Sequence, residues 1–198
     1  MKKTALFVIG LAVVLALAIA SSYNGLVTLD QAVRSQWGQV ENVYQRRSDL
    51  IPNLVETVKG AAAFEKETFI KVAEARAKVV QISGEGLDKV LADPEAFKRF
   101  QQAQGELSSA LSRLMAVSER YPDLKATAAF RDLQVQLEGT ENRIAVERMR
   151  FNEVAQAFDT KRSSFPTVLI AGLFGDRFKE KPYFTAQPGA EVAPKVKF

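Results

Sequence analysis

Residues 4–20 read TALFVIGLAVVLALAIA, an uncharged run behind Met1-Lys2-Lys3. Wound as a helix at about 1.5 Å per residue, the run covers roughly 26 Å, enough to cross the hydrocarbon core of a bilayer. It is therefore a membrane anchor or a secretory signal. Ala18-Ile19-Ala20 before Ser21 has the small-x-small form of a signal-peptidase site, and the basic start fits a signal sequence. Against cleavage, the run is longer than the usual signal core, and no Pro or Gly interrupts the chain between Leu11 and Asn24. On the anchor reading, Leu6, Phe7, Val8, Ile9, Leu11, Val13, Val14, Leu15, Leu17 and Ile19 meet lipid. Lys2 and Lys3 precede the run and no basic residue follows until Arg34. That asymmetry places the amino terminus in the cytoplasm and the bulk of the chain on the exoplasmic side. Ala12, Ala16 and Ala20 recur at four-residue spacing and would permit close helix approach in lipid, although alanine is also ordinary filler there.

Beyond the run, composition points to a globular part: 25% of residues are charged and 47% hydrophobic. The formal net charge is +4, and Lys2 and Lys3 account for half of it, so nucleic acid is not an expected partner. There is no cysteine and no histidine. Disulfides, Ser-His and Cys-His nucleophiles, and His-ligated zinc or di-iron sites are thereby excluded.

Apolar periodicity organises the remainder into helices. Leu26, Val33, Trp37, Val40 and Tyr44 form one stripe, ending near Arg47. Ser48-Asp49 supplies capping side chains and Pro52 suits a first helical turn, so a second helix is predicted from this corner to about Ile82, carrying Leu54, Val58, Ala61 or Ala62, Phe69 and Val72. The register nevertheless passes from Tyr44 through Ile51 and Leu54 without a slip, as a single kinked helix would also give. Ser83-Gly84-Glu85-Gly86 punctuates the chain, and Asp93-Pro94-Glu95 starts a third helix to about Arg120. After Tyr121-Pro122-Asp123, the series Phe130, Leu133, Leu137, Ile144, Phe151, Val154 and Phe158 runs through a fourth. The predicted fold is all-α: an antiparallel up-and-down four-helix bundle over residues 23–164, preceded by one amino-terminal transmembrane helix over residues 1–22. Residues 165–198 form an apolar and basic stretch followed by a flexible tail containing Pro188 and Pro194.

Several strings together resemble the LemA family of bacterial membrane-anchored proteins: Tyr23-Asn24-Gly25-Leu26-Val27, Trp37, the segment from Arg46 to Gly60 (RRSDLIPNLVETVKG), Glu138-Gly139-Thr140-Glu141-Asn142-Arg143-Ile144-Ala145, Arg150-Phe151-Asn152 and Ser164-Phe165-Pro166. The resemblance leaves out the stretch from Ser83 to Leu124 and the tail. It implies an uncleaved anchor in the bacterial inner membrane, an antiparallel helical bundle and no established catalytic activity. Relatives that include a magnetosome-membrane protein, and a gene neighbourhood shared with a membrane heat-shock metalloprotease, imply work beside membranes and a quality-control protease as a partner class. Ala63-Phe64 stands where relatives commonly carry an aromatic and a histidine, and Phe158-Asp159 replaces a more usual Tyr-Asn pair, so roles of those side chains do not transfer.

Polar residues on the apolar stripes are the candidate site. Arg47 continues the Val40–Tyr44 series, Thr140 and Glu147 interrupt the fourth stripe, and Glu65 follows Val58 and Ala61. A charge buried in a bundle must be paired, so Arg47 is expected to meet Glu141 or Glu147, either to fix helix register or to build a ligand-binding core. Glu138 with Glu141, and Glu65 with Glu67, could hold a hard cation but read more simply as solvated faces. In the carboxyl-terminal stretch, Phe165, Val168, Leu169, Ile170, Leu173, Phe174, Arg177 and Lys179, with Phe178, Lys181, Tyr183 and Phe184, suit either a membrane surface or a cover for the end of the bundle. No cofactor and no small-molecule substrate are expected. The resulting expectation is a non-enzymatic scaffold or adaptor bound to the lipid bilayer and associating with itself, the alternative being a membrane-remodelling assembly.

Overall fold

A computed structural model describes residues 2–61, 66–84, 86–175 and 177–186. Among these residues every regular element is a helix, with no strand: α1 Lys2–Ala61, α2 Lys66–Ser83, α3 Leu87–Ala92, α4 Pro94–Ser118, α5 Pro122–Lys125, α6 Ala128–Ser163 and α7 Thr167–Leu173. The all-α expectation holds. Its first corner does not.

The break expected at Ser48–Pro52 is absent, because α1 continues through Pro52 as one 60-residue helix. Proline in a helix interior loses a backbone hydrogen bond and crowds the preceding turn, at a cost of about 3 kcal/mol. Pro52 itself faces solvent, while Ile51, Leu54 and Val58 on the opposite side are at most 2% exposed. Each such side chain contributes roughly 1.5–3 kcal/mol on burial, so keeping the register outweighs the proline penalty. A partner of matching length also exists. From Ser21 to Ala61 α1 extends roughly 60 Å, and α6, the helix packed along it, extends roughly 54 Å. The second long helix therefore begins at Lys66 rather than Ser48. Ala62, Ala63, Phe64 and the candidate Glu65 lie outside the described residues.

The other punctuation acts as its chemistry requires. Gly86 has φ 91°, a left-handed conformation that strains residues with a Cβ. Asp93 caps α4, its carboxylate accepting from the Glu95 amide at 2.9 Å with Pro94 in the first turn. Thr127 caps α6 through the Phe130 amide at 3.3 Å. A hairpin of α2 and α4 packs beside the antiparallel pair of α1 and α6, completing four long helices.

Two apolar clusters are stacked along the bundle. One contains Leu26, Val33, Trp37, Val40, Tyr44, Phe97, Phe100, Ile144, Phe151 and Phe158. The other contains Ile51, Leu54, Val58, Val72, Leu107, Leu114, Phe130 and Leu137. At the seam, each of three helices contributes a buried polar residue: Arg47 from α1, Gln104 from α4 and Thr140 from α6. The apolar residues 6–19 of α1 project beyond the bundle, each large side chain among them 50–73% exposed.

Candidate functional site

The polar seam is built around Arg47, which is 1% exposed. Its Nη1 donates to Ser108 Oγ at 2.7 Å and to Glu141 Oε1 at 2.9 Å. Its Nη2 donates to the Gln104 side-chain oxygen and, at 3.4 Å, to the Gln104 carbonyl. The guanidinium also stacks 5.1 Å from the Tyr44 ring centroid. Burial pushes the Tyr44 phenol up, opposed by Arg148, whose Nε donates to the Tyr44 oxygen at 2.6 Å. Arg47 Nε and Gln104 Nε2 are buried without a protein partner. One arginine thus joins three helices through hydrogen bonds whose loss would leave polar groups stranded in the core.

Of the three candidate residues, the fold brings Arg47 and Glu141 together and holds Glu147 elsewhere. Because α6 runs antiparallel to α1, moving from Glu141 to Glu147 moves down α1, and Glu147 meets Gln36 at 2.6 Å and Arg150 at 2.9 Å. Thr140 donates to the Gln136 carbonyl of its own helix at 2.7 Å. Glu138 accepts from Gln134 at 2.9 Å, and Glu141 is engaged by Arg47, so the two do not converge as cation ligands. Glu141 lines an open groove of about 680 Å³ between α4 and α6, with Ser108, Ser112 and Glu138 among its walls. That groove connects the rim of the seam to solvent.

A second concentration of polar contacts lies where the bundle meets the apolar run. There the end of α6 turns through a cis Phe165–Pro166 bond into α7, which packs on both α1 and α6. Tyr23 of α1 contacts Phe174 and Phe178 at centroid distances of 5.1 and 5.6 Å, and the Arg177 guanidinium stands 5.4 Å from the Tyr23 ring. The segment from Arg177 to Ala186 then runs back over the bundle as an extended strap. Arg162 Nε donates to the Phe178 carbonyl at 2.6 Å. Lys181 Nζ reaches Asp30 at 2.6 Å, both side chains about nine-tenths buried. The Lys181 amide and the Tyr183 hydroxyl donate to the two oxygens of Asp159 at 3.2 and 2.8 Å. Asn152 exchanges two bonds with the Phe184 backbone, each 2.9 Å, and Gln101 donates to the Thr185 carbonyl at 2.7 Å. Burial raises the Asp159 carboxyl above its ordinary range. Burial and the bond to Asp159 together push the Tyr183 phenol up to about 12.

The strap corrects part of the expected membrane-facing set. Phe178 and Phe184 are buried, at 0% and 7% exposure, and Ile170 is buried at 7%. Phe184 sits 4.8–6.0 Å from the rings of Phe97, Phe151 and Trp37, where an aromatic core offers more contact area than solvent or a surface does. Ile170 points inward because it falls on the face of α7 that carries the buried Thr167 and Ala171. Phe165, Val168, Leu169, Leu173 and Phe174 stay exposed, and Arg177 and Lys179 are exposed beside them. The part of the tail from residue 187 onward, with Pro188 and Pro194, lies outside the described residues. Gln104, Ser108, Asn152, Asp159, Lys181 and Phe184 were not singled out for these contacts by sequence alone. Asn152 lay within a quoted motif and Asp159 within a noted departure, while nothing local distinguishes Gln104.

An all-α chain in which, among the described residues, one helix is long and apolar enough to cross a membrane and is continuous with an antiparallel bundle is the class these features define. The model of the LemA family matches residues 36–198, and the chain belongs to that family. The match includes the segment from Ser83 to Leu124 and the tail, which the quoted strings had left out, and it begins after Tyr23–Val27. The magnetosome protein MamQ of Magnetospirillum gryphiswaldense is 28% identical over 191 residues, covering 88% of this chain and 70% of that protein. A MamQ of Paramagnetospirillum magneticum is 28% identical over 184 residues, covering 86% and 67%. Protein LemA of Metamycoplasma hominis is 22% identical over 148 residues, covering 75% and 63%.

Proposed function

We propose that this protein is a non-enzymatic, single-span protein of the bacterial inner membrane whose bundle, on the periplasmic side, is a self-associating scaffold or adaptor. The observation that carries this reading is the continuity of α1: the apolar residues 6–19 and the core residues Leu26 to Val58 belong to one helix. A helix without a joint transmits orientation, so a bundle built on it stands at a fixed attitude to the bilayer. The basic residues Lys2 and Lys3 favour a cytoplasmic amino terminus. The chemistry of the polar seam supports a structural role, since its charges bond to one another and leave no nucleophile activated by a base. Partners on this reading are the lipid bilayer, further copies of the chain and a membrane quality-control protease; the magnetosome naming of relatives supports work at membranes.

Sizing of detergent-extracted, full-length protein tests the scaffold. Discrete multiples of the chain that persist on dilution support it, and a monomer at every concentration contradicts it. A second reading, membrane remodelling, is favoured by the exposed apolar face of α7 beside the run. Deformation of liposomes by the reconstituted protein would support that reading, and incorporation without change of vesicle shape would not.

A further inference from the structure

We infer that α7 is a second lipid-contacting element, inserted shallowly into the leaflet from which α1 emerges. The inference rests on the reading that residues 4–20 stay in the bilayer, and it adds a separate surface with its own test.

Phe165 stands in the turn that leads into α7, and Leu169 and Leu173, four residues apart, share one face of the helix. The three are 82%, 63% and 77% exposed, as open to their surroundings as the side chains of the apolar run. The opposite face is packed, with Thr167, Ile170 and Ala171 buried, so α7 is held in place and shows its apolar side outward. In water, such a face forgoes roughly 1.5–3 kcal/mol for each large side chain.

The level of α7 along α1 identifies what covers that face. Phe174 packs on Tyr23, and the Lys161 stem near the end of α6 passes over Gly25. Tyr23 lies three residues past the end of the apolar run, a rise of about 4.5 Å. The outward face of α7 is thus continuous with a surface already committed to lipid and lies at the depth where an amphipathic helix settles, about 5–10 Å into the headgroup and acyl boundary. Arg177, stacked between the Tyr23 and Phe178 rings at 5.4 and 5.6 Å, places a cation with an apolar stem at the same level. The occupant that fits this arrangement is a lipid surface.

The chain has no cysteine, so single labelling sites are clean. Full-length protein carrying Leu169→Cys, Leu11→Cys or Val135→Cys, each labelled with an environment-sensitive dye, is reconstituted into phosphatidylcholine and phosphatidylglycerol vesicles. Spin-labelled lipids then quench from shallow or deep positions. The expected result at 169 is a blue-shifted emission quenched about twofold more by the shallow than by the deep label. At 11 the deep label should quench, and at 135 neither should. If 169 stays unquenched while 11 is quenched, the α7 inference is overturned and the anchor stands. If 11 also stays unquenched, the anchor reading fails and takes the inference with it. A blue shift at 169 without lipid quenching, lost as protein is diluted in lipid, assigns the face to a second copy and overturns the lipid contact.

Discussion

Arg47 and Glu141, 94 positions apart in the chain, meet at 2.9 Å with unequal exposure: the arginine side chain is 1% exposed and the carboxylate 39%. The cation is buried and its counter-charge sits at the rim. The pair crosses from α1 to α6 at the seam between the two apolar clusters, and Gln104 and Ser108 of α4 join it. A one-turn slip of any helix would strand the guanidinium in apolar surroundings, so the seam specifies which residues face which.

Replacing Arg47 with Met keeps the volume but strands the Gln104 amide. We expect Arg47→Met to lower stability by about 3 kcal/mol, and Arg47→Met with Gln104→Leu to recover much of that loss, since an apolar layer can substitute for a buried ionic one. Chemical denaturation in detergent micelles measures both. Unchanged stability and assembly in Arg47→Met would remove the seam's register role and any switching role together.

Phe184 should behave as core, not as tail. Truncation to Ala opens a void against Trp37 and is expected to cost about 3 kcal/mol. Trp37 is the sole tryptophan, so its emission should shift to the red as water enters. Asn152→Leu removes both backbone bonds to Phe184, and increased amide exchange at residue 184, with the helices still protected, is the expected signature.

The strap also titrates. Tyrosine ordinarily loses its proton near pH 10, and Tyr183 is held at about 12 in the folded protein. A folded value above the unfolded one means the contribution is complete below pH 10 and disappears as pH rises through 12. Asp159 is also raised, by burial, so its own contribution is present only in acid and is lost as pH rises past its ordinary range. Asp159→Asn should therefore leave stability at neutral pH undiminished and bring the Tyr183 titration back toward 10. Phenolate absorbance, with Tyr183→Phe as the difference reference, checks both values.

Pro52 sits in the interior of α1 on its solvent face. Pro52→Ala restores an amide donor and is expected to raise stability by about 1–3 kcal/mol without changing the fold. A loss of stability on this substitution would mean that the proline shapes a bend the bundle needs.

Periodicity made the stripes readable, and local chemistry made the Asp93 cap readable, because both are recorded within a few residues of one another. The path through Pro52 was harder to read. A proline's penalty is local and visible, whereas the burial of Ile51, Leu54 and Val58 that overrides it comes from helices far along the chain. The Arg47 seam was half legible: an arginine on an apolar stripe announces a partner, but choosing Glu141 over Glu147 requires the antiparallel register. The strap carries no periodicity at all. Its hold depends on side chains of α1, α4 and α6 bonding to an extended backbone, and such bonds leave no spacing to recognise. Aromatic residues after a short apolar helix suited a membrane surface equally well until Trp37, Phe97 and Phe151 were seen to surround Phe184.

The most direct measurement is the intact mass of the protein recovered by detergent from washed bacterial membranes. A polypeptide that retains Lys2–Ala20 together with the bundle is the predicted result. A mature chain beginning at Ser21 and recovered without detergent would contradict it, because α1 would then end where the bundle begins.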